Sequence, residues 1–181
     1  MSEEKLARLK AIVAEITDLG FAAALLGWDQ QVNMPPGGAE NRGYQLATLQ
    51  TLAHAKATSP ETGALLDDLK TYAAGLDPDS DDARYIKIAQ RQYNKLVKVP
   101  GEWIADFAQT TTQAHQVWAK ARAENNFALF QPSLERIMDL RRQYAGFFAP
   151  YTHIYDPLLD DFEPGLKTAD VKEIFNALRP Q

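Results

Sequence analysis

Cysteine is missing from the 181 residues, which excludes disulfides, thiol nucleophiles and any cysteine-ligated zinc site. Histidine is scarce. His54, His115 and His153 lie on different segments, and none has a second histidine or an inward carboxylate at ligand spacing. A catalytic zinc generally takes three protein ligands, often with two histidines one helical turn apart in H-E-x-x-H. That motif occurs nowhere in the chain, so no metal residue is assigned. No segment approaches ~20 consecutive apolar residues, as a bilayer-spanning helix would need. The acidic start, Met-Ser-Glu-Glu-Lys, is not followed by an uninterrupted apolar run, which argues against a secretory signal. A net charge of −5, spread along the chain, leaves no electrostatic footprint for nucleic acid or an anionic membrane. There is no Gly-rich phosphate loop, no G-x-S-x-G elbow and no basic-aromatic strip. A soluble, cytoplasmic protein with no nucleic-acid or membrane partner is expected.

What is present is ordinary in bulk and helical in pattern. The chain is 45% hydrophobic and 24% charged, long enough for one domain or for part of a larger one. Leu6, Leu9, Val13 and Ile16 recur three and four apart, and the phase continues through Gly20, Ala23 and Gly27. The two glycines suggest that another helix approaches closely there, because glycine otherwise costs ~1 kcal/mol in a helix interior. Asn33-Met34-Pro35-Pro36 ends this run. A second helix is expected from about Ala39 to Ala57, with Tyr44, Leu46, Leu49 and Leu52 available for burial. Ser59-Pro60-Glu61 opens a third that stops near Gly75. Asp77-Pro78-Asp79-Ser80-Asp81-Asp82 opens a fourth, running to about Lys98 with Tyr85, Ala89, Tyr93 and Leu96 inward. After Val99-Pro100-Gly101, the stripe Ile104, Phe107, Thr111, Ala114, Trp118 and Ala121 marks a fifth helix, closed by Asn125-Asn126. A sixth spans about Pro132 to Phe148 with Ile137, Leu140, Tyr144 and Phe147 on one face. A loop over residues 156–165 precedes a last helix, capped by Thr168 and ending at Leu178. With no convincing β-alternation, repeat or long linker, the chain reads as one all-α domain over 1–181, an antiparallel helical bundle or array.

Few residues invite a chemical reading. Counted from Asp77, a calcium loop would need Gly at position six and Glu at twelve, where Asp82 and Ile88 stand. The acidic run is therefore a solvated helix start, its carboxylates meeting the positive end of the dipole. Asp160, Asp161 and Glu163 are expected to be ordinary solvated acids in a polar loop. His115 flanks the Trp118 stripe and is expected to pack at a helix edge. Trp28 is expected to anchor packing, and Asp29 to hydrogen-bond its neighbours in the turn.

One stretch carries more. Leu26-Gly27-Trp28-Asp29-Gln30-Gln31-Val32-Asn33-Met34-Pro35-Pro36-Gly37-Gly38-Ala39-Glu40 resembles the N-terminal region of the carboxypeptidase Taq family, thermostable zinc metallocarboxypeptidases that trim peptide C-termini. The likeness continues through Asn41-Arg42 and Gln45–Leu49, through Trp118–Phe127 with Phe130–Leu134, and through Tyr155–Gly165. It implies a mostly helical, two-lobed enzyme with a deep groove. It also implies that the zinc histidines, the base glutamate and a third, glutamate ligand belong to a lobe later in the family's chain. None has a counterpart here, so no catalytic or cofactor-binding residue is carried over. The expectation is the N-terminal lobe of a larger helical metallopeptidase, scaffold and groove wall, inactive alone. Its partner would be the missing C-terminal catalytic lobe, with zinc or cobalt the cofactor of the full-length enzyme and peptide its substrate. The alternative is a free-standing helical interaction or regulatory module of the same descent. A lobe without its partner exposes apolar surface, so self-association is expected. The sequence leaves open whether Trp28, Asp29 or His115 line the groove.

Overall fold

A computed structural model describes residues 2–179. They form helices α1 (Ser2–Val32), α2 (Ala39–Ala57), α3 (Pro60–Ala74), α4 (Asp81–Leu96), α5 (Gly101–Ala123), α6 (Phe127–Gly146), α7 (Asp156–Leu159) and α8 (Thr168–Leu178). A 3₁₀ turn, Pro36–Gly38, joins α1 to α2, and no strand occurs among the described residues. The chain divides into two compact units, Met1–Leu134 and Glu135–Gln181, the division falling inside α6.

The helix ends follow from local chemistry. Ser59 accepts from Thr62 N at 3.2 Å and Ser80 from Ala83 N at 3.4 Å, each satisfying a donor of the first turn. Behind Ser80, Asp81 and Asp82 occupy the first turn of α4, the acidic helix start expected. At the end of α5, Asn125 takes φ 49°, Asn126 N donates to Ala121 O and Asn125 N to Arg122 O. That is the left-handed cap that asparagine tolerates better than most residues. α6 begins at Phe127, ahead of the expected Pro132, which lies inside the helix. The expected loop at 156–165 holds the short α7. Thr168 is the first residue of α8 rather than its cap. Lys167 precedes it, and the Asp170 carboxylate accepts from Lys167 N at 3.0 Å.

In the first unit each helix lies beside its neighbour in the order α4, α3, α1, α2, α5. Ion pairs give the direction of the helices of this array. Asp29 of α1 meets Arg42 of α2, and Glu15 meets Lys56, so one number falls as the other rises. Lys5–Asp68 and Arg8–Glu61 set α3 antiparallel to α1 in the same way. Gly43 lies against Gln109 and Thr112, while His54 reaches Gly101, so α5 is antiparallel to α2.

The core matches part of the expected pattern. Leu6 and Leu9 of α1 join Leu66 and Leu69 of α3 and Ile86 of α4, with Val13, Tyr72, Ala73, Tyr85, Ala89 and Tyr93 packed around them. Ile12 is buried as well. On α2, however, Tyr44 and Leu52 are exposed, and Gly43, Leu46, Ala47 and Ala57 are buried. The helix is flanked by α1 and α5, and small residues let it approach both. A Cβ at Gly43 would sit 3.6 Å from Gln109 Cα, so this is where two helices come close. The expected close approach at Gly20 and Gly27 is absent among the described residues: a Cβ at either meets nothing within 4 Å. On α5, Ala114 and Ala121 of the stripe are buried, whereas Trp118 is exposed. In the second unit, Leu140 is buried, with Ile137, Tyr144 and Phe147 half-buried beside it in sequence.

Candidate functional site

The antiparallel registers bring the C-terminal end of α1, the start of α2 and the His115–Trp118 turn of α5 to one end of the first unit. The corner there is held by Arg42. Its guanidinium donates to Asp29 Oδ2 at 2.5 Å, to the Leu26 carbonyl and to Gln45 Oε1 at 3.2 Å. The forked donors of arginine suit this three-way contact, which a lysine could not reproduce. Hydrogen bonding from Arg42, helped by Asn33, holds the Asp29 carboxyl below the usual carboxylate range. Asp29 also accepts through its backbone carbonyl from Asn33 N and Met34 N, bonding its neighbours as expected. Trp28 does not anchor the packing. It is 57% exposed among the described residues.

A cavity of about 340 Å³ lies at the α5–α6 turn, lined by Trp118, Ala121, Arg122, Asn125, Asn126, Phe127 and Phe130. Arg122 stands 5.6 Å from the Trp118 ring centre, a cation–π contact, and His115 is 5.7 Å from the same ring. The aromatic walls and the guanidinium suit a ligand with an apolar body and an anionic or carbonyl group. His115 is half-buried on α5, as expected for a helix edge. Nothing in the spacing of Arg122, Phe127 and Phe130 announced the cavity, since they converge only because the Asn125 cap turns the chain.

The remaining candidates have structural roles. His54 is half-buried between α2 and the start of α5, and burial pushes its imidazole below the ordinary value despite a hydrogen bond to the Val99 backbone. Its Nδ1, like that of His115, is buried without a hydrogen-bond partner among the described residues. His153 Nδ1 accepts from Tyr155 N at 3.1 Å and lies 3.3 Å from Thr168 Oγ1. Asp160 and Asp161 are not merely solvated. Asp160 accepts from Gly165 N, which sits at φ 89°, and Asp161 accepts from the Tyr144 hydroxyl at 2.9 Å. Burial, aided by Asp161, pushes the Tyr144 phenol well above its ordinary range. The most enclosed carboxylate is Asp156, 3% exposed, which no local pattern singled out. It accepts from His153 N, Thr168 N and Thr168 Oγ1 at 3.1, 2.9 and 2.7 Å, and the Thr168 bonds keep its carboxyl low. The N-terminus of α8 is thus satisfied from within the chain.

A resident metal does not fit this donor set. Among the described residues no group of three or more His, Asp or Glu converges as a metal site. His54 and His115 stand singly, and His153 has committed its Nδ1.

The first unit is thus an all-helical array with a clamped corner and an aromatic cavity, and no metal-ligand group converges among the described residues. The family model for carboxypeptidase Taq (M32) metallopeptidase matches residues 8–181, and the chain belongs to that family. It is 31% identical to thermostable carboxypeptidase 1 of Pyrococcus furiosus, over 97% of this chain and 34% of that protein. Thermostable carboxypeptidase 1 of Thermus thermophilus is 30% identical over 91% and 34%. The crystal structure of BsuCP superposes with a TM-score of 0.90 at 25% identity, covering 97% of this chain and 35% of that one. Trypanosoma cruzi metallocarboxypeptidase 1 gives a TM-score of 0.76 at 28% identity, with the same coverage. The chain therefore spans about a third of the length of the relatives it matches. Among the described residues, no helix is long and apolar enough to cross a membrane.

Proposed function

We propose that this chain serves as the N-terminal helical lobe of a zinc-dependent metallocarboxypeptidase, that it supplies scaffold and groove wall, and that it is inactive alone. One observation carries the reading: the family match runs through nearly the whole chain yet reaches only a third of the relatives' length. The resemblance blocks around Trp28–Glu40 and Trp118–Leu134 fall at the same end of the first unit, which supports a wall role for Trp28, the Arg42–Asp29 clamp and the Trp118 cavity. The apolar body and carboxylate of a peptide C-terminus suit that cavity. Zinc, or cobalt in its place, belongs in this reading to the ligand-bearing lobe, and no step of hydrolysis is assigned to residues of this chain. A cytoplasmic location accords with the lack of cysteine.

The pure chain, assayed by amino-acid analysis against unblocked peptides with zinc or cobalt added, is expected to release no C-terminal residue. Metal-dependent release that a chelator abolishes would overturn the inactivity. A second reading, a free-standing interaction module, is favoured by the exposed apolar face of α1. The genomic reading frame after codon 181 separates the two: an in-frame H-E-x-x-H supports the lobe, and a stop codon supports the module.

A further inference from the structure

Helices α3 and α4 pack together and leave a cavity of about 410 Å³ between them, within the ~300–1,000 Å³ of small-molecule sites. Their sequences explain the space. Lys70, Ala73 and Ala74 recur at helical spacing on α3, and Ala83, Ile86, Lys87 and Gln90 share one face of α4. Alanine at three of these positions is too short to meet across the gap, so the helices border it without filling it. Leu76 and Pro78 of the connecting turn wall one end. Every lining residue falls between 70 and 90, so the cavity is complete within one helical hairpin.

Its polar groups are not satisfied from within the hairpin. Gln90 Nε2 donates to Asn94 Oδ1 at 2.9 Å, but Gln90 Oε1 is buried with no donor among the described residues. A buried carbonyl in that state is costly and calls for a donor. Lys87, nearly one helical turn away, is exposed and makes no ion pair among the described residues. Lys70, on the facing helix, is paired with Asp67 at 2.6 Å. One space thus asks for an apolar body against the alanines, a donor for Gln90 and an anion for Lys87. A simple cation meets two lysines there, and a fatty carboxylate leaves Gln90 unpaired. A zwitterion with an apolar side chain meets all three demands. Its ammonium and carboxylate share one Cα, and Lys87 and Gln90 are helix neighbours with Cβ atoms ~5–6 Å apart.

We propose that the α3–α4 cavity binds a free apolar α-amino acid. Its ammonium donates to Gln90 Oε1, its carboxylate faces Lys87, and its side chain lies among Ala73, Ala74 and Ala83. Such a molecule is what a carboxypeptidase releases, so the site would sense product. That use rests on the activity proposed above, whereas the binding does not.

The test is a titration of the isotope-labelled 181-residue chain with L-leucine, followed by NMR. Saturable shifts confined to residues 70–90 and the Gln90 side-chain amide are expected, with a Kd on the order of a millimolar. Isocaproate, which is leucine without its amino group, and leucinamide, which lacks the carboxylate, should each bind roughly tenfold more weakly. Gln90→Leu removes the acceptor and Lys87→Glu repels the carboxylate, and each should weaken L-leucine roughly tenfold or more. Lys87 is exposed, so circular dichroism of Lys87→Glu should show an unchanged helical fold. No saturable shift up to tens of millimolar overturns the assignment, as do shifts that saturate elsewhere in the chain. Isocaproate and leucinamide binding as tightly as leucine, or leucine binding that both variants leave intact, overturns it too. The readout needs no peptidase activity, so failure here is separate from failure of the lobe reading.

Discussion

Gly63 of α3 faces Tyr93 of α4. A Cβ at that position would collide with the tyrosine hydroxyl and stand 3.0 Å from ring Cζ. Alanine normally favours a helix interior over glycine by ~1 kcal/mol, but here the collision should win. Gly63→Ala is expected to lower stability by about 1–2 kcal/mol, within the range of overpacking. Tyr93→Phe removes the nearest atom and should recover part of the loss in the double variant. Urea unfolding midpoints read both effects, and a Gly63→Ala chain as stable as its parent would show that α3 and α4 can move apart. At Gly43, where an added Cβ would make only ordinary contacts of 3.6–3.9 Å, the same change has room. Both glycines look alike in the sequence. Their difference lies in what the neighbouring helix presents.

Helix α2 carries His54 into the packing against the start of α5, where burial keeps the imidazole neutral. The unfolded chain takes up a proton near the ordinary value of 6.5, and the folded chain does so only at lower pH. The unfolded state thus binds more protons between the two values, and stability falls as pH drops below about 6.5 and levels off beneath the folded pKa. Thermal melts from pH 7.5 to 5 should show this decline, and His54→Gln should flatten it. An unchanged slope in the variant would place the proton uptake elsewhere. Further acidification reaches Asp29, Glu15, Glu61 and Asp156, whose partners hold them below the carboxylate range. Their contribution is present above about pH 4 and is lost as pH falls through the folded values. Helix starts at Ser59 and Ser80 and the stop at Asn125 were legible because caps act within three or four residues. The inward side of α2 was not, because its choice of Gly43 and Ala47 over Tyr44 and Leu52 depends on helices on both flanks.

Apolar burial, and not ion pairing, should dominate the stability of the first unit. Lys5–Asp68, Arg8–Glu61, Lys10–Asp82 and Lys56–Glu15 link α1 to its neighbours, but their side chains are 36–52% exposed, and exposed pairs contribute little. Raising salt to 1 M, where the Debye length is ~3 Å, should scarcely move the unfolding midpoint in a comparison of chloride salts. Leu66→Ala, at a fully buried position shared by α1, α3 and α4, is expected to cost 2–5 kcal/mol, about what a truncated core leucine costs. A large salt effect with a small Leu66→Ala effect would reverse this ranking. The candidate site was only half legible: the Trp28–Glu40 and Trp118–Leu134 blocks stood out by resemblance, but nothing in either reports the other.

The sequence by itself determined the all-α class, most helix ends and the family, because periodicity, caps and motif residues are local properties. It also excluded thiol chemistry outright by composition. Tertiary structure alone decided that Trp28 and Trp118 face outward, that Arg42 clamps Asp29, that Asp156 ties off α8, and that no metal ligands converge among the described residues. These depend on which antiparallel neighbour each helix meets and in what register, and that is set by packing between residues far apart in the chain.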